Sequence, residues 1–296
     1  MEKIREFFRT RQLLEVETPI LSRYGVTDVY LTPMQTRCHQ QTYYLHTSPE
    51  YAMKRLLAAG SGPIFQLARV FRDDEWGRWH NPEFTLLEWY QLDYDHHQLM
   101  TQMDEFLQHM LGCAPLRKIS YREAFMRICD VDVWETNVEQ LRQICARFDL
   151  GEVFSREEAD EDAYLFLLMS HVVEKALIQD GSPIAVYDFP PSQAALAKIN
   201  AGVAARFEVY CQGVELANGF YELTDPAVQR ARFMQDLASR QHLSQACPPP
   251  DESLLQAMEH GLPECSGVAL GVDRLLALAL QQPNIAACMA FDSARA

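Results

Sequence analysis

Two periodicities run through the chain, and the switches between them mark its elements. Ile4, Phe7, Phe8 and Leu13 fall near one face at helical spacing, so residues 2–13 predict an opening helix. LEVETPIL (14–21) alternates as a strand that stops or bends at Pro19. Thr47-Ser48-Pro49-Glu50 reads as a helix start, with a hydroxyl cap and proline in the first turn, and the helix runs to Gly60. PIFQLARVFR (63–72) and PEFTLLEWYQL (82–92) alternate as two strands joined by a hairpin loop, Asp73 to Asn81. Helical spacing dominates 97–178, interrupted by an acidic segment, 151–162, expected to be an exposed loop leading into a helix. Strand signals return at 184–190, 205–220 and 266–272, CPPPDES (247–253) reads as a loop, and DRLLALALQ closes the chain as a helix. Hairpins with separate helices predict an α+β fold on an antiparallel sheet rather than alternating βαβ units. No repeat, low-complexity tract or linker divides residues 1–296, so a single domain is expected.

Composition narrows the function. With 48% hydrophobic residues the chain can bury a substantial core. No run of eighteen apolar residues is present, and the charged start MEKIREFFRTRQ has no apolar segment behind it. A cytoplasmic protein without a membrane span is therefore expected. Eight cysteines stand singly, with no CxxC pair, and are read as buried free thiols. The formal net charge of −15 counts against a dedicated nucleic-acid binder. Lys3, Arg5, Arg9 and Arg11 form a local basic cluster, either a solvated helix face or a patch for an acidic partner. GxxxxGK[ST] and GxGxxG are absent.

Three segments carry candidate chemistry. On the second hairpin arm Phe84, Leu86, Glu88 and Tyr90 share one face, and on the first arm Gln66, Ala68, Val70 and Arg72 do the same. If those faces coincide, an arginine fork suited to phosphate, a ring suited to stacking on a base and an acid suited to an ammonium point into one space. The competing reading is a surface hairpin with cross-strand ion pairs. In GVELANGFYELTD (213–225), Glu215 and Glu222 are seven apart, so a bulge at Asn218-Gly219 is needed to put both on one face. Two converging carboxylates would suit magnesium; the competing reading is a pair of surface groups on a strand. In SGVALGVDRLLALAL (266–280), Gly267 and Gly271 allow close backbone approach, and Arg274 opens an apolar helix whose start favours anions.

In this order the segments resemble the three motifs of class II aminoacyl-tRNA synthetases: the opening helix with the strand to Pro19, the Phe71-Arg72 hairpin, and Gly271-Val272-Asp273-Arg274. Arg72, His80-Asn81-Pro82-Glu83-Phe84, Glu88-Trp89-Tyr90, and Glu215 to Glu222 around Asn218-Gly219-Phe220 are similar to the lysyl-tRNA synthetase branch. Ser48-Pro49-Glu50-Tyr51, Phe220 to Thr224 and CSGVALGVDR (265–274) resemble the elongation factor P–(R)-β-lysine ligase family, paralogues without the N-terminal OB-fold anticodon-binding domain. The chain starts where that domain would end.

The resemblance implies ATP and Mg²⁺ as cofactors, (R)-β-lysine or lysine as amino acid, and elongation factor P as protein substrate, without stable tRNA binding. It implies that Arg72 holds the α-phosphate, that Asp73, Asp74, His80, Leu216 and Gly271 help hold the nucleotide, and that Phe84 stacks on adenine. Arg274 would take the other adenine face or the γ-phosphate, and Glu215 and Glu222 the metal. Glu88 and Tyr90 would read the terminal ammonium. Glu50, with Ser48, would take the other amine, unless Glu50 is only a favourable charge at a helix start. A C2 homodimer through MEKIREFF and LEVETPIL is expected.

Two positions depart from the pattern. Asp74 stands where glutamate is usual, with Glu75 expected to point the other way. Ala269 stands where lysyl-tRNA synthetases have glycine, which would narrow the amino-acid pocket and favour a β-amino acid. Two further readings are a minimal enzyme that acylates tRNA and a non-catalytic amino-acid sensor on the same fold.

Overall fold

The computed structural model describes residues 1–151, 153, 160–178 and 181–296. Most of the acidic segment expected as a loop lies outside them. The helix it leads into, Glu161–Leu168, is capped by the Asp160 side chain, which accepts from the Ala163 backbone N–H.

Among the described residues, nine strands form the main sheet. Its order is Leu14–Glu15, Ile64–Phe71, Glu83–Leu92, Cys265–Gly271, Val214–Tyr221, Val203–Cys211, Ile184–Phe189 and Arg117–Ser120, with Ile199–Asn200 beside Val203–Cys211. The central pairs are antiparallel, whereas both outer pairs are parallel. A small sheet of Leu21–Ser22, Gln41–Leu45 and Gln35–Cys38 lies apart.

Strand alternation divides the main sheet into a core face and a site face. Phe65, Leu87, Trp89, Val268, Leu270, Phe207 and Val209 lie in one cluster with Phe7 and Phe8 of the helix Glu2–Thr10 and Leu99, Met103 and Phe106 of the helix His96–Leu111. The single polar atom of Trp89 is satisfied in this layer, its Nε1–H donating to Gln102 Oε1 at 2.8 Å. The intervening residues, Phe84, Leu86, Glu88 and Tyr90, therefore face the opposite way.

Several expectations are corrected. LEVETPIL supplies only the two-residue strand Leu14–Glu15 before the chain turns into the small sheet at Leu21–Ser22. The run 205–220 is two strands joined by a tight turn at Gln212 (φ 51°) and Gly213 (φ 79°). Both central residues are left-handed, as a hairpin turn requires, and glutamine is an uncommon signal for it. CPPPDES ends in a helix, Glu252–Gly261, capped by Asp251. The basic cluster at the start is a paired face: Arg5, Arg9 and Arg11 meet Glu15, Glu2 and Glu105, and Lys3 donates to the His109 carbonyl. Of the eight free cysteines, four are buried, and Cys38 and Cys247 are exposed.

Candidate active site

The hairpin arms pair with Gln66 opposite Glu88, Ala68 opposite Leu86 and Val70 opposite Phe84, so the two faces do coincide. On the far side of Glu83–Leu92, the strand Cys265–Gly271 puts Gly267 opposite Tyr90, Ala269 opposite Glu88 and Gly271 opposite Leu86. Above this face lies a cleft of about 960 Å³. Ser48, Glu50, Arg72, Phe84, Glu215 and Arg274 all line it.

One end is cationic. Arg72 stands just beyond its strand, with Nε donating to the Thr47 carbonyl at 3.3 Å and its guanidinium 5.0 Å from the centre of the Phe84 ring. Its NH1 reaches Glu75 Oε1 at 3.2 Å, and Glu75 Oε2 lies 3.2 Å from His80 Nε2. Glu75, not Asp74, is thus the acid in this constellation. The strand ends at Phe71, so its alternation no longer governs residue 75, and Asp73 and Asp74 are exposed outside the cleft. Burial lowers the His80 pKa; Glu75 opposes that, and Arg274 and Arg72 reinforce it. Arg274 opens the helix Val272–Ala279 and donates to the carbonyls of Trp79 and Glu215 at 3.0 and 2.8 Å. Asp273 fixes this turn by accepting from the Thr85 N–H at 2.7 Å. A Cβ at Gly271 would make only ordinary contact with Arg274, so close packing does not demand glycine there.

The acidic pair separates. A bulge does occur in Val214–Tyr221, but at Leu216, where Tyr210 pairs with Glu215 and Val209 with Ala217. The Leu216 side chain is buried in the core, which leaves its backbone to line the cleft. Glu215 lies in the cleft 3.9 Å from Arg274; burial and Glu208 push its carboxyl up, and Arg274, Arg206 and Arg72 pull it down. Glu222 is 1% exposed and forms an ion pair with Lys54 at 2.6 Å. Magnesium takes one or two carboxylates together with substrate phosphates. Glu215 fits that demand, beside Glu208 and three arginines, whereas Glu222 is engaged by Lys54.

The other end is a buried charge cluster. Lys54 also binds Glu50 at 2.7 Å. Burial pulls the Lys54 ammonium down, but Glu222 and Glu50 more than offset this and hold it above its ordinary value. Glu88 accepts from Ser48 Oγ at 2.5 Å and from the Tyr90 hydroxyl at 2.7 Å. Burial and the negative charge of Glu50 push its carboxyl up to about 7. Burial pushes Glu222 up to about 8, with Lys54 opposing and Glu50 and Glu88 adding to it. Gly267 makes this packing possible, because a Cβ there would lie 2.2 Å from the Tyr90 ring and 2.6 Å from Glu222. Three carboxyl groups thus surround one ammonium, and the raised Glu88 and Glu222 would ionise against an added cation, which suits a substrate with more than one amine. Ser48 and Glu50 line the cleft, while Glu88 and Tyr90 sit one layer beneath its floor.

A family model for class II tRNA synthetases (D, K and N) matches residues 1–295. This chain belongs to the class II tRNA synthetase family. Within that family it is 50% identical to the elongation factor P–(R)-β-lysine ligase of Edwardsiella ictaluri over 100% of this chain and 93% of the relative. It is also 50% identical to the ligase of that name from Pectobacterium atrosepticum, over 99% and 92% of the two chains. The Salmonella typhi ligase is 49% identical over the whole of this chain.

Three residues of the site, Lys54, Arg206 and Glu208, escape sequence reading, and a fourth, Glu75, is read as pointing away. Lys54 follows Glu50 by one helical turn, a spacing that pairs opposite charges and could have been used. Arg206 and Glu208 pair with each other, and Tyr210 donates to Glu208. They alternate with core residues on one strand, a weaker signal.

Proposed function

We propose that the protein is an ATP-dependent ligase that activates (R)-β-lysine as an aminoacyl-adenylate and transfers it to a lysine ε-amine of elongation factor P. The observation that carries this reading is the buried cluster of Glu50, Glu88 and Glu222 around Lys54, close to a cationic cleft. The names of relatives about 50% identical over the full chain supply the amino acid and the acceptor. Class II synthetase chemistry supplies ATP use.

In the first step a carboxylate oxygen of the amino acid attacks the α-phosphorus of ATP, and pyrophosphate leaves. In the second the acceptor amine attacks the carbonyl, AMP leaves, and the amine loses a proton. Neither step needs a covalent enzyme intermediate, so positioning and charge neutralisation carry the catalysis. Arg72 and Arg274 neutralise phosphate charge, Phe84 offers its ring to adenine, and the backbone of Leu216 and Gly271 borders the nucleotide. Glu75 orients Arg72 and His80. Glu215 would hold magnesium, which would supply positive charge to neutralise the phosphates. Glu50 and Ser48 meet the amine nearest the cleft, while Glu88, oriented by Tyr90, and Glu222 supply negative charge from beneath.

The exposed apolar residues Leu14, Ile20 and Leu21, on the segment that borders one edge of the sheet, support a homodimer through this region. Light scattering at micromolar concentration tests it, and a monomer would count against it. No helix of the described residues is long and apolar enough to cross a membrane.

ATP–pyrophosphate exchange tests the amino-acid assignment. (R)-β-lysine is expected to support exchange, and a β-amino acid of the same length without the terminal ammonium is not. Equal exchange with both would overturn the role of the cluster.

A further inference from the structure

Away from the cleft, the helix His96–Leu111 and the strand Ile184–Phe189 bring two imidazoles and a carboxylate together. One ring nitrogen of each of His96 and His97 and one oxygen of Asp188 lie within 4.8 Å of one another. His96 Nε2 is 2.9 Å from Asp188 Oδ1, and the two imidazole centroids are 4.1 Å apart. None of the three lines the cleft. We propose that His96 and His97, with Asp188 orienting the His96 ring, bind a divalent transition cation of the zinc class and so clamp the helix to the strand.

The donor set selects the ion. Two imidazole nitrogens, one backed by a carboxylate, suit zinc and its neighbours, whereas magnesium and calcium prefer all-oxygen sites. His96 supplies the second observation. It is 8% exposed, and its Nδ1 is buried without a hydrogen-bond partner. A neutral imidazole has one donor and one acceptor nitrogen. When Nε2–H donates to Asp188, Nδ1 is a bare lone pair with nothing to accept from. A cation is the partner such a nitrogen lacks. Asp188, hydrogen-bonded to the opposite ring nitrogen, neutralises the site as the group that orients the ring.

The backbone is arranged for this contact. Asp188 has φ 58°, in the left-handed region, and the sheet register slips beside it, between Ala204 and Phe207. Asp188 is the residue that faces this bulge. One cation is close, with Lys118 Nζ 3.5 Å from the His97 carbonyl; Asp95, which caps the helix, and Asp188 outnumber it. Ligands around a zinc ion at about 2.1 Å stand roughly 3.4 Å apart. Closing from 4.8 Å asks a shift of up to about 1.4 Å, which the exposed His97 can make, and water completes the shell. The clamp would join residues 92 apart in sequence and tie Leu99 and Met103 of one core cluster to Ile184 and Val186 of another.

The test titrates Zn²⁺ into the full chain after chelator treatment, in a Cys38→Ser/Cys247→Ser background that removes the exposed thiols. Calorimetry and thermal melting are the readouts. One Zn²⁺ per chain and a raised melting temperature are expected, with excess Mg²⁺ unable to compete. His97→Ala should weaken binding on the order of 100-fold, since losing even an outer-shell partner costs about 10–100-fold. Its metal-free melting temperature should stay close to the parent's, because His97 is exposed. Asp188→Asn, which tolerates the left-handed backbone, should also weaken binding. No Zn²⁺ binding, equal affinity in His97→Ala, or displacement by Mg²⁺ would each overturn the proposal.

Discussion

Glu88→Gln should make the protein more stable at pH 8 and a poorer enzyme. A carboxyl whose pKa rises from the ordinary 4.5 to about 7 binds more protons in the folded chain than in the unfolded one across that window. Stability therefore falls as pH climbs from about 4.5 to about 7, and the loss is complete above it. At about 1.4 kcal/mol per tenfold change in the protonation equilibrium, the loss is about 3 kcal/mol. Glutamine is neutral at every pH and escapes it. It keeps one acceptor oxygen, so one of the two hydrogen bonds from Ser48 and Tyr90 is lost, at about 1 kcal/mol. The net gain at pH 8 is about 2 kcal/mol, turning into a loss of about 1 kcal/mol near pH 4.5. Activity should move the other way. Removing one negative charge from beneath the substrate ammonium weakens its attraction, so kcat/KM for the amino acid should fall on the order of 10-fold. Urea unfolding at pH 5 and pH 8 reads the stability, and pyrophosphate exchange reads the activity. A stability difference that is the same at both pH values, or an unchanged kcat/KM, would refute the reasoning.

Other changes probe the remaining parts of the site. Glu215→Gln should preserve the melting temperature and lose most pyrophosphate exchange; near-normal exchange would remove Glu215 from the phosphate end. Ala269→Gly should shift the ratio of α- to β-lysine activation towards α-lysine, and an unchanged ratio, measured by exchange with each amino acid, would dismiss Ala269 as a selector. Gly267→Ala puts a methyl 2.2 Å from Tyr90, so amino-acid activation should fall by at least about 100-fold even where circular dichroism reports a folded chain. Wild-type exchange in that variant would mean that the Tyr90 and Glu222 packing is not needed.

Much of this site was legible in the sequence because strand alternation is strict. The hairpin register follows from PIFQLARVFR and PEFTLLEWYQL, and with it the placement of Phe84 and Glu88 on one face. Alternation misleads where strands end or slip. Glu75 lies beyond the last paired residue, Phe71, and swings in beside Arg72 although the parity rule points it away. The bulge lies at Leu216 rather than at Asn218-Gly219; Gly219 stays in register opposite Phe207, where a Cβ would strike the ring at 2.5 Å. Lys54 was hidden by its type, since a lysine on a helix reads as surface until three carboxylates are known to surround it. Arg117–Ser120 was obscured by its length, four residues within a helical region.

The central claim is that the activated amino acid goes to a protein. The most direct measurement is the intact mass of purified elongation factor P after incubation with this protein, ATP, Mg²⁺ and (R)-β-lysine. A gain of one lysyl unit, absent when ATP is omitted, is the predicted result. An unchanged mass while the adenylate still forms and tRNA becomes acylated would contradict the account.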